Sequence, residues 1–133
     1  MKVCVIDASV IAAAFFQEDH AESAQALLTG KRQLHAPDLI YAEAANAFWK
    51  YVAAGTLDLD TAQRGLREVA GMVGEVVPSD QLAGEVLELA AQLRKPVYDL
   101  FYLVLARQQS GVLVSFDRRL SELARRLGVA TAV

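Results

Sequence analysis

The chain has 133 residues, of which 54% are hydrophobic and 22% are charged, and it carries a formal net charge of −3 at pH 7. This length predicts a single domain over residues 1–133, large enough to bury a core without metal or disulfide staples. The acidic balance argues against a protein that coats nucleic acid, but it allows a nuclease whose acidic pocket is neutralised by a bound cation.

Cysteine usage and hydropathy bear on where the protein acts. Cys4 is the only cysteine, so an internal disulfide is excluded. This fits a reducing compartment, and we expect a cytoplasmic protein. The longest apolar run, residues 100–106, is too short to span a membrane, so no membrane association is expected.

Short apolar runs alternate along the chain with longer segments of helix-forming residues. Val3–Ile6, the first of these runs, predicts a strand buried on both faces, as in a parallel sheet. The predicted strands are residues 3–6, 34–36, 75–77, 112–116 and 129–133, and the predicted helices are residues 8–15, 21–28, 39–54, 61–73, 81–93, 98–109 and 118–127. This alternation is typical of a three-layer α/β sandwich with a central, mainly parallel sheet flanked by helices.

Polar residues mark the predicted starts of three helices. Asp38 is the predicted N-cap of helix 39–54, and Asp60 or Thr61 is the predicted N-cap of the next helix. Ser79 and Asp80 are predicted to cap helix 81–93.

Two acidic residues follow predicted buried strands. Asp7 comes directly after the first strand, and Asp117 comes directly after the strand predicted at 112–116. In open α/β sheets the carboxyl ends of the strands form the edge where ligands bind. The simpler interpretation of Asp7 is an N-cap for the helix that follows it.

Two further acids lie in strongly apolar helical segments. Glu43, Asn46 and Lys50 are the polar residues of their helix, and their spacing of three and four places them in one stripe. A narrow solvated face is the simpler interpretation of this stripe. Asp99 precedes the apolar segment 100–106, where a carboxylate is commonly a cap or a partner of the helix dipole.

Together the four acids favour a metal site, although the residues alone leave the simpler roles open. A helix as apolar as 100–106 is expected to be buried, and a lone buried carboxylate is costly. Several clustered carboxylates repel one another and raise their own pKa values. A hard divalent cation such as Mg²⁺ or Mn²⁺ relieves both problems, because it prefers oxygen ligands.

Four segments, taken in order, resemble the sequence motifs of PIN-domain nucleases. They are residues 5–11 with Asp7, residues 37–47 with Glu43 and Asn46, residues 97–106 with Asp99, and residues 112–120 with Asp117. Their order, their spacing and the total length are similar to the small VapC-type toxins of bacteria and archaea. Ser115 departs from the family pattern, since Thr is frequent two residues before the last acid. The resemblance implies a PIN-like, Rossmann-like sandwich.

The resemblance also implies an activity and partners. It implies a divalent-metal-dependent endoribonuclease that uses Mg²⁺ or Mn²⁺, the toxin half of a toxin–antitoxin pair. The implied partners are an RNA substrate, a cognate antitoxin and a second copy of the chain.

Site residues are carried over by position. Asp7, Glu43 and Asp99 would bind the ion, and Asp117 would complete the site or hold a second ion; Ser9, Asn46 and Ser115 would supply supporting hydrogen bonds. Arg118 and Arg119 recur with Arg125 and Arg126 at helical spacing, which predicts either contacts to RNA phosphates or a solvated helix face. His20 and His35 lie outside all four segments, and we expect them to be ordinary surface or core-edge residues.

Other functions stay open at this point. One is an RNA-processing PIN nuclease outside a toxin–antitoxin pair, and another is a degenerate module that binds RNA or protein. A phosphoryl-accepting domain is disfavoured by two residues. A receiver carries adjacent acids where Ala8 follows Asp7, and a haloacid-dehalogenase-like phosphatase carries a second Asp where Ser9 stands. A metal titration would distinguish a degenerate module from an enzyme.

Overall fold

A computed structural model describes residues 2–16, 19–30 and 33–132. Its strands are β1 Val3–Ile6, β2 Gln33–Pro37, β3 Glu75–Val77, β4 Val112–Val114 and β5 Ala130–Thr131. They form one sheet in the order β3-β2-β1-β4-β5, and every neighbouring pair is parallel. The predicted α/β sandwich with a central parallel sheet is therefore confirmed.

Helices cover this sheet. They are α1 Ala8–Phe16, α2 Ala21–Thr29, α3 Leu39–Ala53, α4 Leu59–Met72, α5 Ala83–Leu93, α6 Tyr98–Gln108 and α7 Arg118–Arg126, with a 3₁₀ turn at Ser79–Gln81. Helix α6 packs against β1, β2 and β4, and α1 packs against α2 and α3. Within the described ranges, no helix combines the length and the apolarity needed to cross a bilayer.

The border between β1 and β4 is the topological switch point of the sheet. From β1 the chain moves outward to β2 and β3 on one side, and it then returns to form β4 and β5 on the other side. Ile6 pairs with Val114 in register, and both are fully buried. The residues that follow these two strands therefore emerge side by side, in the crevice where parallel sheets bind ligands.

The last two strands are shorter than predicted, although β4 begins at Val112 as expected. Strand β4 ends at Val114, not at Phe116, and β5 covers only Ala130–Thr131 of the predicted 129–133. Of that last segment, Val133 lies outside the described residues. Strand β2 is longer than predicted and includes Pro37, which can end a strand because the next amide, that of Asp38, makes the bond to the Val77 carbonyl (2.9 Å).

The structure departs from the predicted helix caps more than from the predicted helix bounds. Helix α4 is capped by Asp58, whose carboxylate accepts a hydrogen bond from the Thr61 amide at 2.7 Å, and the prediction of Asp60 or Thr61 is wrong. Asp38 precedes α3 without making a side-chain cap bond, because its carboxylate accepts the Ser79 hydroxyl instead. Ser79 and Asp80 form the 3₁₀ turn, and α5 begins after them.

Candidate active site

Asp7 is a buried carboxylate, 8% exposed, at the junction of β1 and α1. Its Oδ1 accepts hydrogen bonds from the amide of Ser9 at 3.1 Å and from the Ser9 hydroxyl, and its Oδ2 accepts the Ser115 hydroxyl at 2.6 Å. Burial raises the pKa of Asp7 to about 6, because the loss of hydration outweighs these three bonds. The bond from the Ser9 amide also caps α1, so the cap role and a site role are compatible.

The two serine hydroxyls connect Asp7 to the loop after β4. Ser9 Oγ accepts the Phe116 amide at 2.9 Å, and Ser115 Oγ accepts the Asp117 amide at 3.0 Å. Because each hydroxyl donates its single proton toward Asp7, its lone pairs are free to accept these amides. The loop at 115–117 is thereby held against the start of α1.

Glu43 reaches the same edge from α3 and is half-buried. Its Oε1 accepts the hydroxyl of Tyr102, which projects from α6 and is 1% exposed. Burial raises the pKa of Glu43, the bond from Tyr102 opposes this, and the charge of Asp99 raises the pKa further. Tyr102 was not predicted from the sequence. The available signal was a hydroxyl inside the apolar run of α6, one turn after Asp99.

Asp99 and Asp117 lie at the starts of α6 and α7. Desolvation by surrounding protein atoms raises the pKa of Asp99, and the nearby charge of Asp117 adds to this effect. Asp117 is the N-cap of α7, because its Oδ1 accepts the amides of Arg119 at 2.9 Å and of Leu120 at 3.4 Å. These cap bonds use Oδ1 and leave Oδ2 for another partner.

Each of the four acids is close enough to another acid for their negative charges to repel, at one end of the sheet. The charge of Glu43 raises the pKa of Asp7, that of Asp99 raises the pKa of Glu43, and that of Asp117 raises the pKa of Asp99. Elements far apart in the sequence thus bring together the four acids singled out from the sequence.

The donor set suits a hard cation held partly through water. All four candidate ligands are carboxylates, the type that Mg²⁺ and Mn²⁺ prefer. In the part of the chain that the structure describes, no three His, Cys, Asp or Glu side chains lie close enough to grip one ion together. Mg²⁺ commonly keeps several waters and uses one or two carboxylates directly, so it does not require three side chains in contact with it.

The other predicted site residues line clefts close to the acids. Asn46 and Lys50 line a cleft of about 440 Å³ together with Glu43, Ser9 and Tyr98. The structure thus places Asn46 beside Glu43, on the exposed side of α3.

The two predicted arginines point into different clefts. Arg119 lines a cleft of about 410 Å³ with Asp99 and Lys95, whereas Arg118 lines one of about 370 Å³ with Ser115 and His20. Arg119 therefore lies beside Asp99, and Arg118 lies beside the loop at 115–117.

The two histidines have different surroundings. His35 lies in β2 at the edge of the core, as expected, with its Nδ1 2.6 Å from Oε1 of Gln109 and its Nε2 3.6 Å from Glu75. His20 is exposed but stacks on Phe116, with ring centroids 4.6 Å apart and ring planes 8° apart. The sequence analysis did not place His20 near the acids, because no motif contains it.

Comparison with known proteins decides the family. Residues 4–126 match the family model described as PIN domain. The chain belongs to the PIN-domain family. The resemblance of its four segments to this family is confirmed.

Individual PIN-domain relatives agree in sequence and in fold. The chain is 33% identical over 120 residues to Ribonuclease VapC3 of Pyrobaculum aerophilum, a match that covers 89% of this chain and 92% of the relative. The crystal structure of PAE2754 from Pyrobaculum aerophilum is similar with a TM-score of 0.70 and 27% identity, covering 96% of this chain and 90% of that one.

Two further structures share the fold at lower identity. VapBC2 from Rickettsia felis, solved with a DNA fragment from the promoter, has a TM-score of 0.66 at 14% identity, covering 98% of this chain and 97% of that one. VapBC-1 from nontypeable Haemophilus influenzae has a TM-score of 0.65 at 15% identity, covering 98% of this chain and 96% of that one.

Proposed function

We propose that this PIN-domain protein is a divalent-metal-dependent endoribonuclease that hydrolyses phosphodiester bonds in RNA. The main support is the set of four carboxylates that repel one another in turn at the switch point of the sheet, of which Asp7 is the most deeply buried. The 33% identity to a ribonuclease supports RNA as the substrate.

The carboxylates are proposed to hold the cation. Asp7, Glu43 and Asp99 would bind Mg²⁺ or Mn²⁺ directly or through water, and Asp117 would complete the site through its Oδ2. When bound, a divalent cation lowers the pKa of water and stabilises charge on the phosphate.

The surrounding residues orient this set. Ser9 and Ser115 each hold one oxygen of Asp7, which fixes the orientation of this carboxylate. Tyr102 holds Oε1 of Glu43 and leaves Oε2 free to bind. Asn46 lines the cleft beside Glu43, where its amide can hydrogen-bond to a carboxylate or to water.

Cationic side chains are proposed to receive the RNA backbone. Arg119 shares a cleft with Asp99, and Arg118 shares a cleft with Ser115, so a strand that contacts either arginine would lie next to the candidate site. Arginine suits this role because its planar guanidinium binds phosphate oxygens in pairs.

The toxin role and the partners belong to the same proposal. Structures with the same fold are described as VapBC, and we propose a cognate antitoxin and a homodimer for this chain. Exposed apolar side chains on α3, with Tyr41 41% and Trp49 62% exposed, support a covered surface. We also propose that residues 1–133 form one domain and that the protein acts in the cytoplasm, where a ribonuclease of this kind would meet its RNA.

Cleavage of single-stranded RNA tests this function. Wild type with Mg²⁺ or Mn²⁺ should cleave the RNA, and Asp7→Asn should lose cleavage while it keeps the helical circular dichroism spectrum. Wild-type activity in the Asp7→Asn variant would exclude the proposed site. An RNA-processing nuclease outside a toxin–antitoxin pair is distinguished by co-expression with the neighbouring gene product, which should bind and inhibit only a toxin.

A further inference from the structure

A cleft beside the acids carries an aromatic pair that the proposed hydrolysis does not use. Its volume is about 370 Å³, and His20, Phe116 and Arg118 are among its lining residues. His20 and Phe116 also line a neighbouring cleft that contains Ser9 and Asp117. The aromatic pair therefore lies between the first cleft and the candidate active site.

The geometry of the pair leaves an aromatic surface open. Phe116 is half-buried and forms the inner layer, whereas His20 is exposed and lies parallel to it at 4.6 Å. Since Phe116 covers one face of the imidazole, the exposure of His20 comes from its edge and its other face. An exposed aromatic face of this kind is the surface on which unpaired nucleobases stack.

The backbone holds His20 in an unusual conformation. It has φ 70° and ψ 13°, the left-handed region that residues other than glycine rarely adopt. Its carbonyl accepts the Ala24 amide at 2.9 Å, so the start of α2 is anchored there. This backbone conformation fixes where the His20 ring begins, at the entrance to α2.

A hydrogen-bond path links the pair to Asp7. The Phe116 amide donates to Ser9 Oγ at 2.9 Å, and Ser9 Oγ donates to Asp7. The ring pair and the Asp7 carboxylate are therefore connected through the single side chain of Ser9, so a base on His20 would lie beside the candidate active site.

The charges in the cleft suit the backbone of that nucleotide. Arg118 and Arg125 contribute positive charge, and Glu122 contributes one negative charge. The Nε of Arg125 donates to Thr131 Oγ1 at 3.2 Å, which restricts its position. The two arginines and the one carboxylate together give the lining of this cleft a net charge of about +1, which can neutralise one phosphate group.

We propose that His20 and Phe116 form a stacking subsite for an unpaired nucleobase next to the scissile phosphate, with Arg118 and Arg125 neutralising the phosphate of that nucleotide. The subsite deepens, and rests on, the proposed ribonuclease function. Because every base has a π face, it selects single-stranded RNA and imposes little sequence preference of its own.

Fluorescence of 2-aminopurine tests the stacking without cleavage. The probe is a single-stranded oligoribonucleotide with one 2-aminopurine, moved along the strand, measured in EDTA at low salt. Wild type should quench it strongly at one position. His20→Asn should abolish that quench and weaken binding about tenfold, the loss expected for one stacked base.

Asparagine is the informative replacement, because it tolerates the left-handed backbone and lacks a ring. His20→Tyr should restore the quench, since it restores an aromatic face. Arg118→Gln should weaken binding and reduce its salt dependence, whereas Arg126→Gln, on the same helix but outside both clefts, should do so less.

An abasic nucleotide at the quenched position completes the test. Removing that base should weaken binding to wild type and leave binding to His20→Asn unchanged. An equal loss in both proteins, or equal quenching by both, overturns the stacking subsite. If wild type binds and quenches but cleaves no RNA with Mg²⁺, the proposed function fails, and with it the position next to a scissile phosphate, whereas a stacking site for an unpaired base on His20 stands. If wild type does not bind the oligoribonucleotide, both fail.

Discussion

At the scale of single residues, Asp7 couples the candidate site to stability. Its pKa is raised from 3.8 to about 6 by burial, so the native state binds this proton more tightly than the unfolded chain. The stabilisation is fully present below pH 3.8 and is lost as the pH rises through 6, a loss of about 3 kcal/mol.

Urea unfolding in EDTA between pH 4.5 and pH 7.5 measures this loss. The free energy of unfolding of wild type should fall over this range by more than that of Asp7→Asn, because the variant has no titrating carboxyl group at position 7. Identical pH profiles for the two proteins would show that Asp7 is not the source.

Tyr102 is a positioning residue in this scheme, and its hydroxyl can be removed alone. Tyr102→Phe keeps the buried ring, so stability should change by only about 1 kcal/mol. Glu43 loses the bond that lowers its pKa, so the affinity for Mn²⁺ should fall about tenfold. Titration calorimetry with Mn²⁺ measures this. Tyr98→Phe, which removes an exposed hydroxyl from the same helix, is the control, and equal affinities would assign Tyr102 to packing alone.

At the scale of elements, predictability depended on whether the signal was local. Strands β1 and β4 were predictable from runs of apolar residues, and the edge position of the acids followed from the parallel sheet. The end of β4 was not predictable in this way. Phe116 continues the apolar run in the sequence, but its amide donates to Ser9 Oγ and not to a neighbouring strand. The bond from Tyr102 to Glu43 joins two helices, and no local pattern encodes such a contact.

Packing between α3 and α4 depends on one glycine. A Cβ on Gly65 would lie 2.8 Å from Cε1 of Phe48, a buried ring that also packs edge-on against Phe15 and Phe16. Because the buried Phe48 ring would have to shift away from the added methyl group and from its packing on Phe15 and Phe16, Gly65→Ala should destabilise the fold by about 1–3 kcal/mol.

Gly71→Ala is the matched control on the same helix. Its Cβ would meet nothing within 4 Å, so the gain in helix propensity should stabilise by up to about 1 kcal/mol. Thermal unfolding of both variants measures the difference. A Gly65→Ala variant as stable as Gly71→Ala would show that the two helices can separate without cost.

At the scale of the whole molecule, the cut RNA ends report which group performs the attack. Ribonucleases that use the ribose 2′-hydroxyl need a paired general acid and base, typically two histidines, and leave a cyclic phosphate. This chain has two histidines, His20 and His35. His20 stacks beside the acids, but His35 lies within β2 against Gln109, so they do not form such a pair.

The groups that do meet at the crevice are carboxylates, which suit a hard cation and cation-activated water. We therefore expect 5′-phosphate and 3′-hydroxyl ends, cut in single-stranded or loop regions, with activity lost in EDTA and restored by Mg²⁺ or Mn²⁺. His20→Asn should leave the same ends, because it alters stacking and not the attacking group. Mass spectrometry of a cleaved oligoribonucleotide identifies the ends, and a 2′,3′-cyclic phosphate that persists in EDTA would rule out the carboxylates as the catalytic groups.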